Sequence, residues 1–113
     1  MITVEALQKF GADTATGLKR CAGSEPLYLK LVAKVASQNE FDKLAEAVNS
    51  GDLKSGFEYA HAMKGVLGNL SLTPLYEKMS AITELLRAGA ETDYAPLLKE
   101  ISDLKNELQA LCS

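Results

Sequence analysis

Histidine is almost missing from this 113-residue chain: there is one, His61, together with two cysteines, three prolines and no tryptophan. Cys21 and Cys112 are far apart and lack CxxC spacing, so neither a disulfide framework nor a cysteine zinc module is expected, and both read as reduced structural thiols. A metal- or haem-binding helical bundle needs several inward ligands, such as Glu with Glu-x-x-His from paired helices, which one histidine cannot supply. No window gathers Lys and Arg into a basic stripe and the formal net charge is −3, which argues against nucleic acid as a partner. The first twenty residues lack a basic start followed by an apolar run, and nothing approaches the roughly 18 consecutive apolar residues of a membrane span. A cytoplasmic protein without a membrane partner is expected. Neither a GxxxxGK[ST] loop nor a dinucleotide-type glycine fingerprint is present.

What is present is helical punctuation. With 47% hydrophobic and 24% charged residues, the chain has the make-up of one folded domain and not of a disordered segment. Thr3, Asp13, Ser24, Asn39, Asp52, Thr73 and Asp93 stand where N-caps belong. Pro26, Pro74 and Pro96 fall in first turns, where a missing N–H breaks no intrahelical bond. Gly11, Gly23, Gly51 and Gly89 fall where helices should stop. These signals predict helices at about 4–10, 14–21, 25–37, 40–49, 53–70, 74–88 and 94–111.

Tyr94, Leu97, Ile101, Leu104, Leu108 and Leu111 alternate spacings of three and four, the seam of a helix packed along a near-antiparallel neighbour. The same seam could serve a coiled coil with another chain, but internal packing also satisfies it. Leu75, Met79, Ile82 and Leu86 repeat the pattern, and Tyr28, Leu31, Val32 and Val35 with Phe41, Leu44, Ala45 and Val48 supply earlier faces. An all-α, antiparallel four-helix bundle over 24–111 follows, with short helices added in an N-terminal extension of 1–23, the whole forming one domain over 1–113. A monomer is expected because every seam can be satisfied internally.

The segment from Leu53 to Leu70 breaks this regularity. At about 100° per residue, Tyr59, Ala60, Met63, Val66, Leu67 and Leu70 share the face expected to be buried, and His61 points away from it. Lys54, Phe57, Glu58, Lys64, Gly65 and Gly68 surround the histidine within a turn or two. Gly56, Gly65 and Gly68 lie inside the helix, where each costs up to about 1 kcal/mol relative to alanine. Close helix packing explains Gly56. Gly65 and Gly68 flank His61, where nothing buried is expected, so they open the imidazole to a large partner. Lys64, three residues on, can meet negative charge at the same spot, and the neutral imidazole is a nucleophile. Phe57, with Glu58 and Lys54, is a candidate docking patch.

The string His61-Ala62-Met63-Lys64-Gly65, continuing through Gly68-Asn69-Leu70, resembles the signature of histidine-containing phosphotransfer (HPt) domains of two-component phosphorelays. The similarity runs over roughly 25–111, from Leu27 through the Asn49-Ser50-Gly51-Asp52 turn to Leu85-Leu86-Arg87-Ala88-Gly89. It departs at Ser71, where a glycine is frequent, and at Leu72, where a small residue is common, which leaves the end of the histidine helix open. The resemblance implies that His61 is the phosphoacceptor, that Lys64 steadies the phosphoryl group, and that Gly65 and Gly68 keep the imidazole accessible. It further implies partners that are response-regulator receiver domains or a hybrid histidine kinase. The module would have no kinase activity and no cofactor of its own, with Mg²⁺ on the receiver. A phosphoacceptor domain of a chemotaxis-type or hybrid histidine kinase, or a non-catalytic helical adaptor, would share the same fold.

Overall fold

A computed structural model describes residues 2–112, so the expected domain limits at 1 and 113 fall outside the described residues. It is all helical: α1 (Val4–Phe10), α2 (Thr14–Arg20), α3 (Glu25–Ala36), α4 (Glu40–Asn49), α5 (Leu53–Asn69), α6 (Thr73–Arg87) and α7 (Ala95–Leu111). Among the described residues there is no strand. No helix among them is long and apolar enough to cross a membrane.

Local chemistry sets most helix starts. The side chains of Thr3, Asp13, Ser24 and Asp52 accept hydrogen bonds from the N–H groups of Ala6, Thr16, Leu27 and Ser55, each satisfying an otherwise orphaned first-turn donor. Asn39 caps α4 by position without a side-chain bond. Two expected caps are displaced. Thr73 is already helical, and its hydroxyl turns back to the Ser71 carbonyl at 3.4 Å, which leaves Leu72 as the cap of α6. Asp93 precedes the cap residue Tyr94, yet its carboxylate still accepts the Ala95 N–H at 3.0 Å.

The core follows the predicted seams. Leu75, Met79, Ile82 and Leu86 of α6 and Ile101 and Leu108 of α7 are buried, as are Tyr28, Val32 and Val35 of α3 and Phe41, Leu44 and Val48 of α4. Helix α5 packs between α4 and α6, and α6 packs on α7. The fourth side of the bundle is divided, with α4 lying on α5 and α3 on α7. The short α1 packs on α7 and α2, and α2 packs on α3.

The N-terminal helices are tied in by specific bonds. The Asp13 N–H donates to the Ser71 carbonyl at 2.9 Å. The Tyr28 hydroxyl donates to the Leu70 carbonyl at 2.9 Å. Gly17 of α2 lies flat against the Tyr28 ring, where an added Cβ would come within 2.5 Å of Cε1. Any side chain at position 17 would therefore push α2 off α3. These contacts fix α2 beside the turn that joins α5 to α6.

That turn also answers the question left by the two departures from the family pattern. α5 stops at Asn69, with Leu70 as its cap. Ser71 then adopts a left-handed conformation, φ 54°, which favours glycine because it crowds a Cβ. Leu72 is fully buried and anchors the turn in the core.

Candidate functional site

Helix α5 is oriented by its buried stripe. Gly56, Ala60, Met63 and Leu67 face the core, followed by Leu70 beyond the helix end. Gly56 permits close approach: a Cβ there would stand 3.1 Å from Val48 Cγ2 of α4 and 3.6 Å from Leu86 of α6. Asp52 starts the helix, and bonds from the Ser55 side chain and N–H, with Lys54 adding a smaller effect, hold its carboxyl below the usual carboxylate range. His61 projects from the opposite side and is exposed. Two members of the expected buried face depart from it: Tyr59 is half-buried, and Val66 is 38% exposed. Both lie at the edge of the stripe, where Tyr59 still packs against the core.

Phe57, one turn before His61, is not the free apolar residue the sequence suggests. It is half-buried against the core. Its ring meets the His61 imidazole edge to face, with centroids 5.6 Å apart and an interplanar angle of 65°. The Arg87 guanidinium lies 4.9 Å from the same ring centroid and also pairs with Glu84, Nε to Oε2 at 3.3 Å. Helical side chains lean toward the N-terminus, so a residue at 61 covers the one at 57. Lys54 and Glu58 are exposed on the same stretch.

On its other side His61 opens into a cleft of about 620 Å³. α5 contributes His61, Lys64, Gly65, Gly68 and Asn69 to its lining, and Ser71, Thr73 and Tyr76 form the far end. Lys64 is thus on the same concave surface as the histidine. Gly65 leaves open space, with nothing within 4 Å of a Cβ built there. Gly68 differs from expectation. A Cβ at that position would meet Tyr76 Cε1 at 3.0 Å, so its smallness is explained by packing within the chain as well as by access to the cleft.

The remaining wall comes from α2, whose residues Asp13, Thr16 and Arg20 line the cleft. Arg20 donates to the Asn69 side-chain oxygen at 3.3 Å. Asp13 is engaged in capping, accepting from the Thr16 N–H at 3.2 Å and hydroxyl at 2.8 Å, and these bonds lower its carboxyl below the usual range. None of these α2 residues, nor Tyr76, is marked by the sequence as part of a site. Asn69 was visible only as part of the quoted string.

The fold and this arrangement define a class: a helical bundle that presents one exposed histidine beside a lysine on a polar cleft. Comparison with protein families matches residues 32–113 to the Hpt domain. The chain therefore belongs to the Hpt domain family, the phosphotransfer modules of two-component phosphorelays. Comparisons with curated proteins and with solved structures give no match. The matched span contains α4 to α7 and only the C-terminal part of α3, and leaves α1 and α2 outside it.

Proposed function

We propose that His61 accepts a phosphoryl group from the aspartyl phosphate of a response-regulator receiver domain and passes it to the aspartate of another receiver. The observation that carries this reading is the exposure of His61 on a cleft it shares with Lys64, within a chain of the Hpt domain family. A ring nitrogen of His61 attacks phosphorus, the P–N bond forms, the P–O bond to the donor carboxylate breaks, and that carboxylate leaves with the electron pair. The second transfer reverses these events on another aspartate. Such in-line displacement depends mainly on positioning and charge neutralisation, which Lys64 supplies to the phosphoryl oxygens, while Gly65 and Gly68 leave room for the receiver.

On this reading the chain is a phosphocarrier without ATP-binding or kinase activity, and it works as a cytoplasmic monomer. It needs no cofactor, since Mg²⁺ belongs to the receiver. Lys54 and Glu58 lie on the exposed approach to His61 and belong to the docking rim. The edge contact with His61 gives Phe57 a role in holding the imidazole in addition to any contact with a partner.

The test is to incubate the purified chain with receiver domains carrying radiolabelled aspartyl phosphate, in parallel with His61→Ala. Acid-labile, alkali-stable label that requires His61 is expected. Because His61 is exposed and its one ring contact is at the surface, His61→Ala should change stability by less than about 1 kcal/mol. Absence of label from every donor, including a kinase of the hybrid type, would leave the fold as an adaptor.

A further inference from the structure

The N-terminal helix α2 lies outside the span matched by the family and still forms one wall of the His61 cleft. The charges on that cleft run against those of the whole molecule. The chain carries a net −3, but the cleft is lined by two cations, Lys64 and Arg20, and one carboxylate, Asp13. Asp13 has its oxygens engaged by Thr16. Arg20 is held at the cleft by the Asn69 side-chain oxygen, which bonds one nitrogen of its guanidinium and leaves other N–H donors of the planar fork for an anion. Thr16, Ser71 and Thr73 add hydroxyls to the same lining. Lys64 and Arg20 come from different helices, so an anion entering the cleft meets positive charge from both walls.

We infer that α2 completes a two-cation seat for the phosphoryl group, in which Lys64 acts from α5 and Arg20, positioned by Asn69, acts from α2. This deepens the reading of His61 as phosphoacceptor and rests on it. In this account Arg20 meets the phosphoryl-bearing group directly and offsets its charge while the P–N bond forms at His61, and Asn69, which acts through Arg20, is the positioning residue. The Asp13 N–H bond to the Ser71 carbonyl and the packing of Gly17 on the Tyr28 ring, itself tied to Leu70 through its hydroxyl, keep that second cation in place.

The experiment uses the full chain with Arg20→Ala, Arg20→Lys, Asn69→Ala and, as a control on the same helix, Lys19→Ala, at low ionic strength. Inorganic phosphate is titrated into ¹⁵N-labelled protein, and the Arg20 Nε–H and the amides of Gly65, Gly68 and Asn69 are followed. Phosphorylation of His61 by phosphoramidate, a donor too small to need docking, is timed in parallel. The expected result is that the followed resonances shift together. Arg20→Ala should weaken phosphate binding and slow labelling by up to about fivefold, the range for exposed charge pairs. Arg20→Lys should recover part of the loss because the charge is restored, Asn69→Ala should be intermediate, and Lys19→Ala should match the parent chain. A merely structural role for Arg20 would give no rescue by lysine. If His61 is labelled equally fast with and without Arg20 and phosphate binding is unchanged, the seat is refuted while the phosphoacceptor reading stands. If phosphate binds as expected but His61 takes no label from phosphoramidate or from any receiver, the phosphoacceptor reading fails and the seat remains as an anion site. If phosphate moves none of the followed resonances, the two-cation seat is overturned.

Discussion

The Phe57 ring stands edge to face with the His61 imidazole at 5.6 Å between centroids, and Arg87 lies at 4.9 Å from the centroid of the same ring. An exposed histidine on a helix would otherwise sample several rotamers, and only some would aim a ring nitrogen into the cleft. Contact with a ring that is itself packed against the core narrows that choice.

Removing the ring should therefore affect chemistry as well as stability. Aromatic pairs contribute about 0.5–1.5 kcal/mol beyond area burial, and an exposed cation–π contact about 0.5–1 kcal/mol. Phe57→Ala is expected to lower stability by about 1–3 kcal/mol and to slow His61 phosphorylation by about fivefold, the rate equivalent of one such ring contact. Phe57→Leu should retain most of the stability and little of the orientation. The measurements are urea denaturation, side-chain NMR of His61 and initial rates of labelling. An unchanged rate in a folded Phe57→Ala protein would remove the positioning role.

Gly65 and Gly68 resemble each other in sequence and differ in surroundings, which gives opposite expectations for the same substitution. Both occupy helix interior, where alanine is preferred by up to about 1 kcal/mol. At position 65 a methyl group enters open space, so Gly65→Ala should raise the melting temperature, by about 4 °C if the full 1 kcal/mol is realised. At position 68 the methyl group meets Tyr76 Cε1 at 3.0 Å, and displacement of that ring should cancel or reverse the gain. A longer side chain, Gly65→Gln, should keep the fold and sharply reduce labelling from receivers, because it fills the space beside His61. Thermal melts and labelling assays separate these effects. Equal stabilisation at both positions would show that Tyr76 yields freely.

The contrast between these glycines shows what helical phase can and cannot reveal. Phase put His61 opposite the stripe of Ala60, Met63 and Leu67, and the structure leaves it exposed. Phase also placed Val66 on the buried face. At about 100° per residue it lies roughly 90° from the centre of that stripe, which is where cover ends, and it is 38% exposed. Phe57 and Gly68 lie on flanks whose surroundings depend on Arg87, the core edge and Tyr76, all outside the sequence window around the histidine. The α2 wall was further from view. Arg20 and Asn69 are 49 residues apart in the chain, and nothing in a short amphipathic helix states what it will pack beside. Gly17, whose absence of a side chain allows α2 to lie on the Tyr28 ring, carries no local signal of that partner. Ser71 is the reverse case. Its departure from a frequent glycine left only the end of the helix open, and its φ of 54° is the conformation that the family's preference for glycine serves.

Tyr28 links the N-terminal helices to the end of α5, and its environment predicts how stability should respond to alkali. The side chain is fully buried and its hydroxyl donates to the Leu70 carbonyl at 2.9 Å. Burial, with smaller effects from Cys21 and Asp13, pushes its phenol up to about 12. The folded chain therefore keeps a proton that the unfolded chain releases near pH 10, so stability from this group is complete below about pH 10 and declines as pH rises toward 12. Lys78, paired with Glu100 at 2.7 Å, and Lys99, paired with Asp103 at 2.8 Å, are also raised, and their contributions are likewise lost at alkaline pH. Urea denaturation at pH 7, 10 and 11 should show this fall, and Tyr28→Phe should reduce its slope. At pH 7 the same substitution leaves the Leu70 carbonyl without that donor, which should cost about 1–3 kcal/mol. Ultraviolet titration should show a late-ionising tyrosine component in the parent chain that disappears in Tyr28→Phe. If Tyr28→Phe removes no late component from the titration of the folded protein, the burial of Tyr28 is not maintained in solution, and the anchoring of α2 beside the His61 cleft loses its main support.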